Sequence, residues 1–158
     1  MSDTLEKRTA SVEGTERLGE AFAPALTDGD VLALRGDLGA GKTRFVAGLA
    51  RGIASTSRVR SPSFTLVHTH EGRLRLHHLD LYRLASARET EGLGLEELLE
   101  TGAIVVEWGE RLPAATLAEA MMLSVAVGEG DTRTFSASAW GGRGKALLEA
   151  WRALEEAW

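Results

Sequence analysis

The residues best equipped for chemistry in this chain sit in one octapeptide, Gly36-Asp-Leu-Gly-Ala-Gly-Lys-Thr43. It fits G-x-x-x-x-G-K-[ST], the pattern of a phosphate-binding loop. A polyphosphate needs several backbone N–H groups aimed at one point, and a tight glycine-rich turn can supply them. Gly39 and Gly41 let the backbone curl around a β-phosphate with no Cβ in the way. Lys42 adds a point charge for the β and γ oxygens, and the Thr43 hydroxyl can ligate Mg²⁺. A helix is expected to begin near Lys42, where free N–H groups and the helix dipole favour an anion. The competing reading is a glycine-rich strand-to-helix turn with an incidental lysine. The apolar run before the loop and the helical pattern after it argue for the phosphate loop.

A phosphate loop alone binds; hydrolysis or transfer also needs a metal and an acid at the ends of neighbouring strands. Two carboxylates qualify. Asp80 closes Leu74-Arg-Leu-His-His-Leu-Asp80, and Glu107 closes Ile104-Val-Val-Glu107. Either can hold the cation, directly or through water, or orient an attacking water. Ser63, in the polar loop after the first helix, is placed to sense a γ-phosphate and its metal. It can equally be a turn serine beside Pro62. The candidate nucleotide-binding set is therefore Gly36, Leu38, Gly39, Ala40, Gly41, Lys42, Thr43, Arg44 and Ser63, and the candidate metal set is Thr43, Asp80 and Glu107. Trp108 reads as core or as part of the site. His68, His70, His77 and His78 lie on alternating strands, with no cysteine to complete a zinc site.

Elements must bring these residues together. Val31 to Arg35 reads as a core strand feeding the loop, and Thr43 to Ala54 as the helix that follows. A helix over Thr15 to Leu26 is expected to weaken or end at Pro24. Lys7 to Val12 reads as a short edge strand. Ser55 to Ser63 reads as a loop. Phe64 to His70 and Arg73 to Leu81 form an expected hairpin across Glu71-Gly72. Leu84 to Glu100 is an acidic helical stretch broken at Gly92-Leu-Gly94. Ala103 to Val106 is a buried parallel strand. Gly109 to Ala120 connects it, through one or two short helices, to a strand pair at Met121 to Val127 and Arg133 to Ala139. A helix over Lys145 to Trp158 closes the chain.

With 158 residues, one domain is expected, large enough for a sizeable core. No apolar run approaches membrane-spanning length and the first residues carry no signal-peptide core, so the expected location is cytoplasmic. Cysteine is absent, which excludes disulfides and thiolate chemistry. A net charge of −5 argues against a broad nucleic-acid footprint. The local basic run Arg58, Arg60, Arg73, Arg75 reads as a charged patch near a nucleotide or partner. The lack of Asn and Gln fits a thermophile or a GC-rich genome alike.

Taken with Arg60-Ser-Pro-Ser-Phe-Thr-Leu-Val67, His78-Leu-Asp-Leu-Tyr-Arg-Leu84, Leu93 to Glu97 and Glu107-Trp108, the phosphate loop resembles the bacterial TsaE (YjeE) family from about Leu18 through Trp108. That family is the small ATPase required for threonylcarbamoyladenosine modification of tRNA next to the anticodon. The resemblance implies a P-loop NTPase-like, three-layer α/β fold with a mixed, largely parallel sheet. It implies ATP and Mg²⁺ as cofactors and hydrolysis that is slow in isolation. TsaD and TsaB would be the partners, with tRNA engaged only indirectly through that complex. Lys42 would hold phosphate, Thr43 and Glu107 magnesium, and Asp80 would be the Walker-B-like acid. Ser63 stands where the family usually has threonine, which keeps the hydroxyl. After Met121 the match is loose, and adenine contacts near Gly130 to Arg133 are an expectation only. The main alternative is a small-molecule P-loop kinase, which would want an Arg-rich lid; after Glu107 Arg111 stands alone. A GTPase is disfavoured, because the Asn-Lys-x-Asp guanine motif cannot exist in a chain without Asn.

Overall fold

Strands with apolar side chains on both faces must be covered on both faces, and β2 (Val31–Arg35) and β5 (Ala103–Glu107) are of this kind. The computed structural model describes residues 5–56, 67–84 and 90–158, the side chain of Glu91 apart. The other strands are β1 (Glu6–Thr9), β3 (Val67–Glu71), β4 (Arg75–Asp80), β6 (Ala120–Val127) and β7 (Arg133–Ala139). Together they make one sheet in the order β1-β7-β6-β2-β5-β4-β3. The central strands β6, β2, β5 and β4 are parallel. The edges are antiparallel: β3 on β4, β7 on β6, β1 on β7.

Alternation along β2 sends Leu32 and Leu34 to one face and Val31 and Ala33 to the other. The first face packs on α1 (Val12–Phe22), α2 (Lys42–Gly52) and α5 (Gly141–Arg152), through Leu18, Phe22, Phe45, Leu49, Leu147 and Trp151. The second is covered by Leu95 of α3 (Leu95–Thr101), by Leu112 and by Leu117 of α4 (Ala114–Leu117). This is the expected three-layer α/β arrangement. The α1–α2 crossing is close: a Cβ on Gly48 would lie 2.0 Å from the Glu16 carbonyl oxygen.

Several boundaries differ from the sequence expectation. Ser11 caps α1, accepting from Gly14 N–H at 3.0 Å, so the helix starts three residues early. It gives way to a 3₁₀ turn at Ala23–Ala25 around Pro24, as expected. The hairpin turn lies at Gly72 to Leu74 rather than Glu71-Gly72, with Glu71 opposite Arg75. The Phe64 end of that hairpin lies outside the described residues, as do Arg58 and Arg60. The other two arginines of the basic run hold local structure: Arg73 donates to the Ala23 and Leu26 carbonyls, and Arg75 pairs with Glu71. The Gly92-Leu-Gly94 break is a 3₁₀ turn, Glu91–Leu93, before α3.

The largest correction is at the C-terminus. The last helix begins at Gly141 and stops at Arg152, so Leu154 and Trp158 are not on it. The buried Lys7 ammonium donates to the carbonyls of Leu154 (2.5 Å) and Arg152 (3.4 Å). Those bonds satisfy oxygens that a longer helix would have used. The chain then runs beside β1, with Arg8 N–H bonded to Glu156 and Trp158 N–H to Arg8. Among the described residues, no helix is long and apolar enough to cross a membrane.

Candidate nucleotide site

The loop between β2 and α2 is the first component. Gly41 caps α2 with φ +100, a left-handed conformation that strains any residue bearing a Cβ. The first helical bond runs from Phe45 N–H to Gly41 C=O, so the amides of Lys42, Thr43 and Arg44 have no intrahelical partner. Ala40 N–H closes the turn on Asp37 C=O at 3.0 Å, and Leu38 stands out at its tip, 67% exposed. The Arg44 guanidinium turns away, 3.6 Å from Glu16 on α1, leaving its main-chain N–H at the helix start.

Lys42 is buried. Its ammonium donates to Gly36 C=O at 2.5 Å and sits 4.0 Å from the centre of the Trp108 ring. Burial lowers its pKa; Glu107, Glu110, Asp80 and Asp37 oppose that shift. Four carboxylates thus act on this one cation, and two of them are the predicted metal acids.

The parallel register then does what the spacing alone could not. Asp80 and Glu107 are direct neighbours across β4 and β5, and Glu107 neighbours Leu34 across β2. Both acids end their strands beside the loop. The Thr43 hydroxyl donates to Glu107, 3.1 and 3.2 Å from its two carboxylate oxygens. Asp80 Oδ1 instead accepts from Tyr82 N–H at 2.9 Å. Hydroxyl and carboxylate oxygens are the hard donors that suit Mg²⁺, which takes few protein ligands and keeps phosphate and water. Ser63 lies outside the described residues.

Four features go beyond what the sequence led us to expect. His78, fully buried, meets Glu107 Oε2 through Nε2 at 2.5 Å. Its spacing of two from Asp80 on a strand was the available signal, since it puts both on one face. Trp108 adopts φ +60, which costs about 1–3 kcal/mol for a non-glycine. Its ring is held between Lys42, Tyr82 (5.1 Å) and Arg111 (5.2 Å). Arg111 is no lid: it donates to the carbonyls of Leu81, Tyr82 and Leu84 and pins the segment after β4. Finally Arg133, 93 residues from Ala40, donates to that residue's carbonyl at 3.0 Å. No local pattern foretold this.

A glycine-rich loop joining a central parallel strand to a helix N-terminus, with acids at the ends of the adjacent strands, defines a P-loop NTPase-like fold. The chain belongs to the TsaE family: the family model described as "Threonylcarbamoyl adenosine biosynthesis protein TsaE" matches residues 9–135. It is 45% identical over 103 residues to the tRNA threonylcarbamoyladenosine biosynthesis protein TsaE of Treponema pallidum, covering 65% of this chain and 76% of that one. Against the protein of that name from Bacillus subtilis the identity is 37% over 147 residues, 92% of each chain. The solved structure of Bacillus subtilis YdiB matches with a TM-score of 0.76 and 34% identity, over 96% of this chain and 95% of that one.

Proposed function

We propose that this chain is a Mg²⁺-dependent ATPase serving threonylcarbamoyladenosine modification of tRNA, as an accessory of the TsaB–TsaD complex. The observation that carries the reading is the meeting of Thr43 and Glu107 beside the phosphate loop, in a chain of the TsaE family. Likeness to relatives named for this biosynthesis, over 92% of this chain for the Bacillus subtilis protein and 65% for the Treponema pallidum one, supports the biological role. In this reading residues 1–158 act as one cytoplasmic ATPase domain, and tRNA chemistry belongs to the partner.

The chain's own groups divide the work. The amides of Gly39 and of Gly41 to Arg44 bind the phosphates, and Lys42 neutralises β and γ oxygens. Thr43 and Glu107 would hold the magnesium ion, with Asp80 beside them as the Walker-B-like acid. When bound, that ion would supply neutralisation of phosphate charge. His78 fixes the Glu107 carboxylate, and the Trp108 ring faces the Lys42 ammonium.

Calorimetric titration with ADP and ATP plus Mg²⁺ tests binding; no heat of uptake by folded protein ends the reading. Phosphate release is then measured with and without TsaB and TsaD. Stimulation is expected, and a flat rate counts against the coupling. Transfer of phosphate to a small metabolite would favour the kinase alternative.

A further inference from the structure

Arg133 opens β7, on the far side of the sheet order from Glu107. All three nitrogens of its guanidinium are engaged with main-chain oxygens. Nε donates to Ala40 (3.0 Å) and Nη2 to Gly39 (3.4 Å). Nη1 donates to Gly130 (2.9 Å) and Thr132 (2.8 Å) in the turn between β6 and β7. That turn is itself closed by Gly128 N–H on Thr132 and Thr132 N–H on Glu129.

A peptide unit is planar and trans, so its C=O and N–H point in opposite directions. Holding the Ala40 oxygen on one side therefore aims the Gly41 N–H to the other. The neighbouring Ala40 N–H is already committed to Asp37. Glycine at 39 and 41 makes this stretch conformationally permissive, so its orientation needs an external hold. A rigid planar fork that reaches two segments at once can supply that hold, and a lysine ammonium cannot.

We infer that Arg133 is a positioning residue: it orients the Gly41 amide of the phosphate cradle and ties the cradle to the β6–β7 turn. This rests on the nucleotide reading above. Arg133 acts through the loop backbone and not as a charge on the phosphate.

The test compares Arg133→Lys and Arg133→Gln with the unaltered protein, by ADP and ATP titration in Mg²⁺ and by melting without nucleotide. Expected is a loss on the order of tenfold in affinity for both nucleotides, alike for Lys and Gln, with melting midpoints within a few degrees. Retention of full affinity by Arg133→Lys overturns the inference in favour of a charge role. Full affinity in both variants overturns it outright. If the unaltered protein binds neither nucleotide, the nucleotide reading fails instead. Should the variants not fold, exchange of the Arg133 Nε–H in the unaltered protein decides. Protection that persists on adding ADP is expected, and rapid exchange in the free protein overturns the inference.

Discussion

His78 Nε2 lies 2.5 Å from Glu107 Oε2, with the histidine fully buried and the acid nearly so. His78 Nδ1 has no hydrogen-bond partner among the described residues, so the network assigns the donor proton to Nε2. The ring fixes one carboxylate oxygen while Thr43 approaches both. Supporting partners of this kind are typically worth about 10–100-fold in metal affinity or activity. His78→Ala should therefore raise the Mg²⁺ concentration needed for half-maximal ATP hydrolysis by about that factor, while leaving metal-free ADP affinity unchanged. An unaltered Mg²⁺ requirement would remove the positioning role.

Lys42 and Glu107 should fail differently. Lys42→Ala removes the cation beside the loop and should weaken ATP binding by at least about tenfold. Glu107→Ala should abolish hydrolysis far more than binding. Asp80, engaged with Tyr82 N–H, should matter less to the metal than Glu107. Should Glu107→Ala turn over normally while Asp80→Ala is dead, the two acids have exchanged roles.

His70 predicts an acid-sensitive fold. It is fully buried, stacked 4.8 Å from the His68 ring, with the tilted His78 ring 6.1 Å away. Burial, then the neighbouring His78 and His68, lower its pKa from 6.5 to about 4. Above pH 6.5 the ring is neutral in both folded and unfolded chains and contributes no pH dependence. As pH falls from 6.5 to 4 the unfolded chain takes up a proton that the folded chain refuses, so stability is lost across that window. It levels off below it. The loss from this group is on the order of 3 kcal/mol. Urea midpoints at pH 7.5 and 4.5 should differ less in His70→Phe than in the unaltered protein. Equal differences would assign the acid sensitivity elsewhere.

Gly48→Ala should separate scaffold from site. The added methyl would press the Glu16 carbonyl where α1 crosses α2. Overpacking of this kind costs about 1–3 kcal/mol, which for a chain of this size lowers the melting midpoint by roughly 2–12 °C. Nucleotide affinity of the folded fraction should be unchanged. A variant that melts normally would mean the helices part at little cost.

The loop, its strand and its helix were legible because local chemistry dictates them: a phosphate cradle needs glycines, a lysine and a hydroxyl at set spacing. Asp80 and Glu107 were legible as strand-end acids for the same reason. That they are register partners, and that Glu107 rather than Asp80 meets Thr43, was decided by parallel pairing of β4, β5 and β2. The end of α5 was misjudged because its apolar spacing continues past Arg152, whereas a buried lysine 147 residues away takes the Leu154 carbonyl.

By itself, then, the order of residues determined the phosphate loop, the strands flanking it and the family. Only the tertiary structure decided which acid faces the hydroxyl, that His78 stands behind it, and that Arg133 grips the loop. The reason is physical. Helical and strand periodicities are read over a few neighbours, whereas these contacts join segments separated by dozens of residues and exist only once the sheet brings them to one edge.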